Sequence, residues 1–494
     1  MDQRYVLAYD LGTSGVKCAL VTPEGILAAC ATTGYGMLTP KRGWAEQSPE
    51  NYWSGVCHVT KEVLQLAGVS GQQVIGIAFG TLWKGIIPID SEGNVLRPSI
   101  LWLDGRAVDQ ARRLNEFVGV KRYSPTDYWP KLLWLRENEP ETINKAAMIL
   151  EVNSYLKWKA TGKATVDISN CYTTSFDETL DAYYERLFAF MDIPREKFPK
   201  FVESSALVGH ITQQAAQELG VVPGTPVFGG NNDIQGVTVG SGCSTVGGVH
   251  IYFGSSGWMG FTLPHTKQSY GTPFDQKRDI FLAGMRAIGL SLNWVAKKLY
   301  SKEYEQMGDN VFALMDREAA QIPAGCGGLL ATPWLYGEHP PLAGLDAGGC
   351  FLNLKPDHGR GHMTRAMMEC ICFHLKQRTQ YFCHTNGCEW PVAVNVVGGG
   401  ACSDVWMQIL ADVLNVPVRV PATPRHAGAI GTAYSAIIGL GLCNDYDDAA
   451  RKLHIDHILT PNADAVAVYE KQYGVYTQLY GVLQNVFLQL NEIR

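Results

Sequence analysis

Short blocks of hydrophobic residues, separated by turns and by longer amphipathic stretches, run along the first half of the chain. This pattern predicts strands that alternate with helices, and a Ser-Pro-Glu sequence at 48–50 predicts the start of a helix over Asn51–Ala67. The class is therefore α/β with mixed sheets, opening on an antiparallel meander. The apolar runs that predict strands in this half are Tyr5–Tyr9, Val16–Val21, Ile26–Thr32, Val74–Ala78, Ile86–Ile89 and Pro226–Phe228.

The second half continues the same alternation. It predicts strands at Val249–Ile251, Trp258–Thr262 and Val392–Val397, and helices at Met363–Phe382, from Ser403 onwards, and within Val466–Leu490. The most apolar stretch, Ala427–Leu442, is shorter than the roughly 20 residues that span a bilayer and contains many small residues. We interpret it as a helix packed inside the protein.

Two strand–turn–strand segments, about half a chain apart, carry nearly the same turn. Asp10–Gly15 reads DLGTSG and Tyr252–Gly257 reads YFGSSG. Glycines allow a sharp turn close to a ligand, while backbone N–H groups and hydroxyls offer donors to anionic oxygens. One copy would be an ordinary hairpin turn, but two copies predict a polyphosphate held by two related domains. We place the boundary in the glycine-rich segment Gly240–Gly248, which divides the chain into residues 1–245 and 246–494.

Composition limits the function classes. The 494 residues are 46% hydrophobic and 18% charged, as in globular proteins that are neither disordered nor membrane-embedded. A net charge of −6 argues against a nucleic-acid partner, and the N-terminus shows no secretory pattern. The chain has thirteen cysteines and no CxxC pair, and the simplest interpretation is that they are thiols in a reducing compartment. We therefore expect a cytoplasmic protein with no membrane partner.

One group of potential metal ligands lies close together in sequence. It consists of Cys370, Cys372, Cys383, His384 and Cys388. Cys370 and Cys372 fall in a helical run, where residues two apart face different directions. The sequence therefore does not favour a zinc site there.

Two aspartates and one lysine stand where charged groups could act on a phosphorylated ligand. Asp10 ends an apolar strand beside the first turn, where it could hold a metal ion or simply bond to its own turn. Lys17 is a nearby cation or part of a solvated face. Asp233 follows a Gly-Gly-Asn-Asn bend and could be a general base or a helix N-cap. From these residues alone, both interpretations remain open.

A further candidate is Gly398-Gly399-Gly400, which lies between a predicted strand and a helix and allows close approach of a ligand. The chain has no GxxxxGK[ST] motif, and Gly240-Ser241-Gly242 does not complete GxGxxG in the right context. A P-loop and a Rossmann dinucleotide site are therefore disfavoured.

Taken in chain order, these motifs resemble the FGGY family of carbohydrate kinases, within the actin-like, hexokinase-like ATPase superfamily, and among its members most resemble the xylulokinases. The segments that carry the resemblance are Asp10–Lys17, Gly43–Gln47, Ile100–Arg106, Pro130–Leu135, Asp233, Gly254–Gly257, Gly289–Trp294 and Gly398–Gln408. The resemblance implies a two-domain, ribonuclease H-like fold with mixed sheets flanked by helices and a central cleft.

The same resemblance implies ATP and Mg²⁺, with sugar binding and the base in residues 1–245 and nucleotide binding in residues 246–494. Asp233 would be the catalytic base, and Asp10 and Asp233 would serve the metal. The implied nucleotide-binding residues are Asp10, Gly12, Thr13, Ser14, Lys17, Gly254, Ser255, Ser256, Gly289, Asn293, Gly399, Gly400 and Asp404. The implied sugar-binding residues are Trp83, Lys84, Trp102, Asp104, Arg106 and Asp233.

Most departures from the family pattern lie on the sugar side. Xylulokinases have Gln-Met-His-Gly where this chain has Phe79–Gly85, which contains no histidine. Gly337–Pro341 reads GEHPP in place of Gly-Glu-Arg-x-Pro, Asn153 replaces an aspartate, and Tyr128 replaces a small residue or proline. Such changes alter which sugar hydroxyls can be satisfied.

The sequence thus predicts ATP-dependent phosphorylation of a small ketose or polyol at a primary hydroxyl, with a pentulose such as D-xylulose first. The alternatives are a sugar or nucleotide sensor that has lost turnover, and an actin-like filament or chaperone ATPase. The last does not account for Trp102, Asp104 and Arg106. A homodimer is expected because the family often forms dimers.

Overall fold

Strands and helices alternate throughout the computed structural model, which describes residues 3–170, 180–266 and 271–493. The strands of the first half are β1 (Tyr5–Leu11), β2 (Gly15–Val21), β3 (Leu27–Gly34), β4 (Glu46–Gln47), β5 (Val74–Thr81), β6 (Ile87–Ile89), β7 (Ser99–Ile100), β8 (Met148–Leu150), β9 (Thr165–Asp167), β10 (Lys200–Val202), β11 (Leu207–His210), β12 (Pro226–Phe228) and β13 (Asn231–Asn232). Its helices are α1 (Pro49–Ala67), α2 (Val108–Val118), α3 (Tyr128–Asn138), α4 (Pro140–Lys145), α5 (Val152–Thr161), α6 (Leu180–Met191), α7 (Gln213–Leu219) and α8 (Asp233–Gly240).

The second half has the same mixed character. Its strands are β14 (Val249–Phe253), β15 (Gly257–Pro264), β16 (Thr272–Pro273), β17 (Arg278–Met285), β18 (Leu330–Thr332), β19 (Cys350–Leu352), β20 (Val394–Val397), β21 (Val418–Pro421) and β22 (Ile455–Leu459). Its helices are α9 (Gly289–Leu299), α10 (Ser301–Met307), α11 (Val311–Ala320), α12 (Arg360–Asn386), α13 (Asp404–Leu414), α14 (Ala427–Gly439), α15 (Tyr446–Lys452), α16 (Ala463–Tyr476) and α17 (Leu479–Asn491). The predicted α/β class with mixed sheets is confirmed.

The chain forms two compact units. The first contains Met1–Val246, Thr262–Ile280 and His426–Leu453. The second contains Gly247–Phe261, Phe281–Arg425 and His454–Arg494. Helix α14 thus belongs to the first unit although it lies late in the sequence, a return that no local sequence signal indicates.

The sheet of the first unit has the order β11-β12-β5-β1-β2-β3, with β13 beside β5. The predicted meander is confirmed, since β2 pairs antiparallel with both β1 and β3. Strand β5 lies parallel to β1, β12 and β13, so the carboxyl ends of these four strands share one edge. Ligands of such sheets bind at that edge.

The second large sheet has the order β16-β17-β15-β14-β20-β21-β22. Here β14 pairs antiparallel with β15 and parallel with β20, as β1 does with β2 and β5. Strand β21 continues the parallel set, and β22 returns antiparallel. The two sheets therefore repeat one topology, with the glycine- and hydroxyl-rich turn in the same place in each.

Helix α14 packs on the first sheet and crosses α8 at close range. A Cβ atom on Gly431 would lie 1.8 Å from the carbonyl oxygen of Gly236, and one on Gly240 would lie 1.8 Å from that of Ala427. Glycine at these positions therefore lets the two helix backbones touch. The predicted packed helix at Ala427–Leu442 is confirmed as α14, which is buried along most of its length. Among the described residues, no helix is long and apolar enough to cross a bilayer.

We predict that Gly431→Ala destabilises the protein by about 1–3 kcal/mol, because its methyl group would overlap the backbone of α8. Urea unfolding followed by circular dichroism measures the change. Gly474→Ala in α16 is the matched control, since nothing lies within 4 Å of a Cβ at that position. An equal loss in both variants would contradict the proposed close contact.

Candidate active site

Asp10 lies near the end of β1, paired in register with Lys17 of β2. The Lys17 ammonium is 3.5 Å from the Asp10 carboxylate. The first turn of α14 also approaches this carboxylate, because a Cβ on Gly428 would lie 3.0 Å from Asp10 Oδ2. Sequence reasoning did not find this approach of Gly428.

The first phosphate-type turn, Gly12–Ser14, joins β1 to β2 and is closed by a bond from Gly12 N–H to the Gly15 carbonyl, 2.9 Å. The Tyr35 hydroxyl donates to the Gly12 carbonyl at 2.6 Å. The Gln47 amide donates to the Thr13 carbonyl at 2.6 Å. These bonds hold the turn in one conformation by its carbonyl groups.

Asp233 is the first residue of α8, directly after β13, which pairs with the end of β5. The helix is capped by the side chain of Asn232, which accepts from Gln235 N–H at 2.8 Å. The N-cap interpretation of Asp233 is therefore wrong, since Asn232 already has that role. The bend before it is held by Lys157, whose ammonium donates to the Gly229 carbonyl at 2.9 Å.

The environment of Asp233 disfavours its charged form. The side chain stays partly accessible, but the surrounding protein removes water from the carboxyl, and this desolvation raises its pKa to about 7. The negative charge of Asp10 raises the pKa further, while Lys84 opposes the shift. Asp10 and Asp233 therefore lie close enough to interact through space, and a carboxylate with a pKa near 7 suits general-base chemistry.

Two nearby carboxylates also fit a magnesium ion. Mg²⁺ is usually held by one or two carboxylates, with waters and substrate phosphates completing its shell. The described residues contain no group of three or more potential ligands that could form a complete protein cage. The mutual repulsion of Asp10 and Asp233, visible in the raised pKa of Asp233, is the feature that a divalent cation would relieve.

On the sugar side, the loop after β5 carries Trp83 and Lys84. The Lys84 ammonium is 4.3 Å from the centre of the Trp83 ring and 2.5 Å from an oxygen of Asp127. Lys84 has a φ of 67°, which residues with a Cβ rarely adopt. The loop after β5 therefore presents an ammonium group beside an aromatic ring.

In the second predicted sugar-side segment, Trp102 is accessible, whereas the side chains of Asp104 and Arg106 are buried. The Trp102 ring is 46% exposed, and its N–H donates to the Thr13 hydroxyl at 2.9 Å. Asp104 is fully buried and accepts from Ala45 N–H at 2.6 Å and from the Arg106 guanidinium at 2.7 and 2.9 Å.

The Arg106 side chain is almost fully buried, like that of Asp104. Its guanidinium also donates to Glu46 at 2.6 Å and stacks 3.6 Å from the centre of the Trp44 ring. This burial argues against the predicted direct contact of Asp104 and Arg106 with a sugar. The pair instead fixes the segment from which Trp102 projects.

In the second unit, four predicted nucleotide residues come together, namely Gly254, Ser255, Ser256 and Gly289. The turn Gly254–Ser256 follows β14, and the first residues of α9 bind it through the backbone: Gly289 N–H donates to the Gly254 carbonyl at 2.9 Å, and Leu290 N–H to that of Ser255 at 3.0 Å. A Cβ on Gly289 would lie 2.6 Å from the Gly254 oxygen, so this contact requires glycine.

The glycine-rich turn after β20 lies against the end of β14. A Cβ on Gly398 would lie 2.5 Å from the Phe253 carbonyl oxygen, and one on Gly400 would lie 2.9 Å from Phe253 Cβ. Gly398 has a φ of 97°, which favours glycine. The predicted nucleotide segments Gly254–Ser256 and Gly398–Gly400 are thus neighbours within one unit.

Two other predicted nucleotide residues differ in their surroundings, since the Asn293 side-chain oxygen is buried and Asp404 is exposed. The Asn293 side-chain oxygen has no hydrogen-bond partner within residues 3–170, 180–266 and 271–493. Asp404 begins α13 after the N-cap Ser403; its side chain is 78% exposed and lies 3.1 Å from His457 Nε2. Asn293 therefore retains an unused acceptor, whereas Asp404 already has a cationic neighbour when His457 is protonated.

Comparison with known proteins agrees with this geometry. The N-terminal domain model of the FGGY family of carbohydrate kinases matches residues 5–240, and its C-terminal domain model matches residues 249–440. This chain belongs to the FGGY family of carbohydrate kinases. It is therefore an enzyme that phosphorylates a sugar, and the FGGY kinase fold expected from the sequence is confirmed.

Individual relatives of this FGGY kinase cover its whole length. It is 28% identical to the xylulose kinase of Bacillus subtilis strain 168, over 99% of both chains. It is also 28% identical to the L-xylulose/3-keto-L-gulonate kinase of Escherichia coli K12, again over 99% of both. A ligand-bound xylulose kinase structure from Lactobacillus acidophilus shares the fold with a TM-score of 0.84 at 24% identity, covering 99% of this chain and 100% of the other.

We predict that Asp233→Asn stabilises this kinase at pH 8 by about 1–2 kcal/mol, allowing for the partial exposure of the group. The folded pKa of about 7 lies above the unfolded value, so the charged aspartate lowers stability increasingly as pH rises through 4 to 7. Thermal unfolding between pH 4 and 8 measures the gain, which should shrink on acidification. The exposed loop residue Asp357 provides the control Asp357→Asn. A pH-independent gain would contradict the raised pKa.

Proposed function

We propose that this kinase transfers the γ-phosphoryl group of ATP to a primary hydroxyl of a small ketose, with a pentulose such as D-xylulose first, and with Asp233 as general base. The observation that carries the proposal is the pairing of Asp10 and Asp233 within the first unit, with the pKa of Asp233 near 7. The names of the full-length relatives support the substrate class.

Each residue has a defined part in this proposal. Asp233 accepts the proton of the attacking hydroxyl, and Asp10 holds Mg²⁺ with Asp233 nearby. When bound, the metal ion neutralises charge on the phosphates. In the first unit, the N–H groups and hydroxyls of Thr13 and Ser14 would offer donors to phosphate oxygens. In the second unit, the turn Gly254–Ser256 would offer similar donors, and Gly289, Asn293 and the Gly399–Gly400 turn would contact the nucleoside. Phosphoryl transfer needs positioning and charge neutralisation more than covalent help, which this arrangement supplies.

The sugar-side residues support a second substrate class, an aldonate or keto-aldonate. Lys84 supplies an ammonium group, in electrostatic reach of Asp233, where xylulokinases have histidine. An ammonium can bind a substrate carboxylate, and one full-length relative is named for a keto-gulonate as well as for L-xylulose. The neutral pentulose remains the first candidate because Lys84 already pairs with Asp127.

We expect Asp233→Ala to reduce kcat by about 10²–10⁴-fold, the usual contribution of a positioned base. ATP binding, measured by calorimetry, should persist, because the proposed nucleoside contacts lie in the second unit. Asp357→Ala in an exposed loop serves as the control. Near-normal turnover of Asp233→Ala would remove Asp233 from the mechanism.

The pH dependence gives a separate test of the same carboxylate. Below pH 7, kcat/KM should fall about tenfold per pH unit, because the protonated base cannot accept a proton. Asp10→Asn removes the neighbouring negative charge and should shift the acidic limb to lower pH, whatever its effect on the maximal rate. An acidic limb that stays in place in Asp10→Asn would contradict the coupling of the two carboxylates.

A substrate panel identifies the sugar. D-xylulose, L-xylulose, xylitol and gluconate are compared with ATP-Mg in a coupled ADP assay, and ketoses should give the highest kcat/KM. Lys84→Met should lower kcat/KM for gluconate by at least tenfold more than for D-xylulose, since it removes the cation. A preference for gluconate would favour the second substrate class. Bound nucleotide without turnover on any sugar would overturn the proposed reaction.

A further inference from the structure

The first turn of α3 holds the loop of Trp83 and Lys84 in two ways. Asp127, directly before the helix, binds the Lys84 ammonium at 2.5 Å. Lys131, one turn later, donates from its own ammonium to the Lys84 carbonyl at 2.9 Å. The left-handed backbone of Lys84 is unfavourable for a residue with a Cβ and persists only where the surroundings enforce it. The bonds with Asp127 and Lys131 hold the Lys84 residue in this left-handed conformation.

The Lys131 ammonium also binds the segment that carries Trp102. Lys131 Nζ donates to the Leu101 carbonyl at 2.7 Å. The next residue is Trp102, whose ring N–H donates to the Thr13 hydroxyl of the first phosphate-type turn. One side chain therefore connects the Lys84 loop, the Trp102 segment and, through Trp102, the turn that follows β1.

The burial of Lys131 is costly unless the ammonium has a specific task. The residue has no exposed surface, and the two acceptors described above are neutral carbonyls. Burial, with the charge of Lys84 as a second cause, lowers its pKa to about 7, while Asp127 and Asp104 oppose the shift. A hydrocarbon side chain would fill the space at lower cost, so the packing of α3 does not by itself require an ammonium.

We propose that Lys131 is a positioning residue for sugar binding, and that its ammonium sets the distance between the Trp83–Lys84 loop and Trp102. The inference rests on the proposed function, because it takes those three side chains as neighbours of the sugar. A shift of about 1 Å in such groups can cost 10²-fold in the efficiency of a reaction. Lys131 would act only through the two carbonyls, without touching the substrate.

Lys131→Met tests the proposal, because it keeps the shape of the side chain and removes both bonds. We expect KM for the sugar to rise about 10- to 100-fold, with KM for ATP within twofold of the wild-type value. D-xylulose is the first probe, and gluconate replaces it if the wild-type enzyme prefers the aldonate. Lys131→Arg keeps N–H donors at this place and should recover most of the sugar affinity.

A matched control is Lys197→Met. The Lys197 ammonium likewise binds only backbone carbonyls in the described residues, at Ile143 (2.9 Å), Asn144 (3.2 Å) and Ala146. Because these residues lie outside the proposed site, the variant should lose thermal stability without a change in sugar KM. A purely structural role for Lys131 would give the two methionine variants the same profile.

The outcomes distinguish the proposed role of Lys131 from the proposed function of the enzyme. A folded Lys131→Met enzyme with unchanged sugar KM, or with ATP and sugar KM raised equally, overturns the role of Lys131 alone. If Lys131→Met does not fold, Lys131→Gln, which is shorter but keeps amide donors, takes its place, and wild-type sugar affinity in that variant overturns the role. Absence of turnover in the wild-type enzyme on every sugar overturns the proposed function itself.

Discussion

The arrangement of the candidate site depends on two like charges being held near each other. Desolvation raises the pKa of Asp233 at the start of α8, and the negative charge of Asp10 on β1 raises it further. Helix α14 lies beside both residues, because it contacts the backbone of α8 at Gly431 and approaches the Asp10 carboxylate at Gly428. These surroundings keep the pKa of the Asp233 carboxyl near neutrality, and a cation bound there, as proposed, would relieve the repulsion.

Each unit presents a donor-rich turn at the same place in a repeated sheet. The turns at Gly12–Ser14 and Gly254–Ser256 both join the central strand to its antiparallel neighbour, with the parallel strands on the other side. The supports differ: side chains of Tyr35 and Gln47 hold the first turn, whereas the backbone of α9 holds the second. The repeated topology thus places two similar glycine- and hydroxyl-rich turns, and different contacts hold each of them in place.

Specificity is expected to reside in loops positioned by a buried polar framework. The Arg106 guanidinium donates to the buried carboxylate of Asp104, and Trp102 projects from the segment that this ion pair fixes. Lys131 holds the same segment and the Lys84 loop by their carbonyls. In the proposed function, substituting a partly accessible loop residue such as Lys84 would change the groups that the sugar contacts, while the buried framework keeps its geometry.

Strand and helix positions could be predicted from the sequence because they depend on local patterns. The two glycine- and hydroxyl-rich turns, the first meander and the helix at α14 follow from glycine placement and hydrophobic periodicity. The position of Asp233 after a bend was also visible, but its role as base or cap was not. The cap interpretation was excluded only by Asn232, whose side chain occupies the cap, and the role of Asp233 as base stays a proposal.

What only the tertiary structure decided involves residues far apart in the chain. The sequence pattern determined that α14 is a buried helix, but not that it returns to the first unit beside Asp10, more than 400 positions earlier. Likewise, the sequence shows Lys131 only as one polar residue in an apolar segment. The structure shows that its ammonium donates to the carbonyls of residues 84 and 101. The physical reason is that periodicity records which face of an element is buried, whereas pKa values and positioning bonds depend on which other elements meet that face.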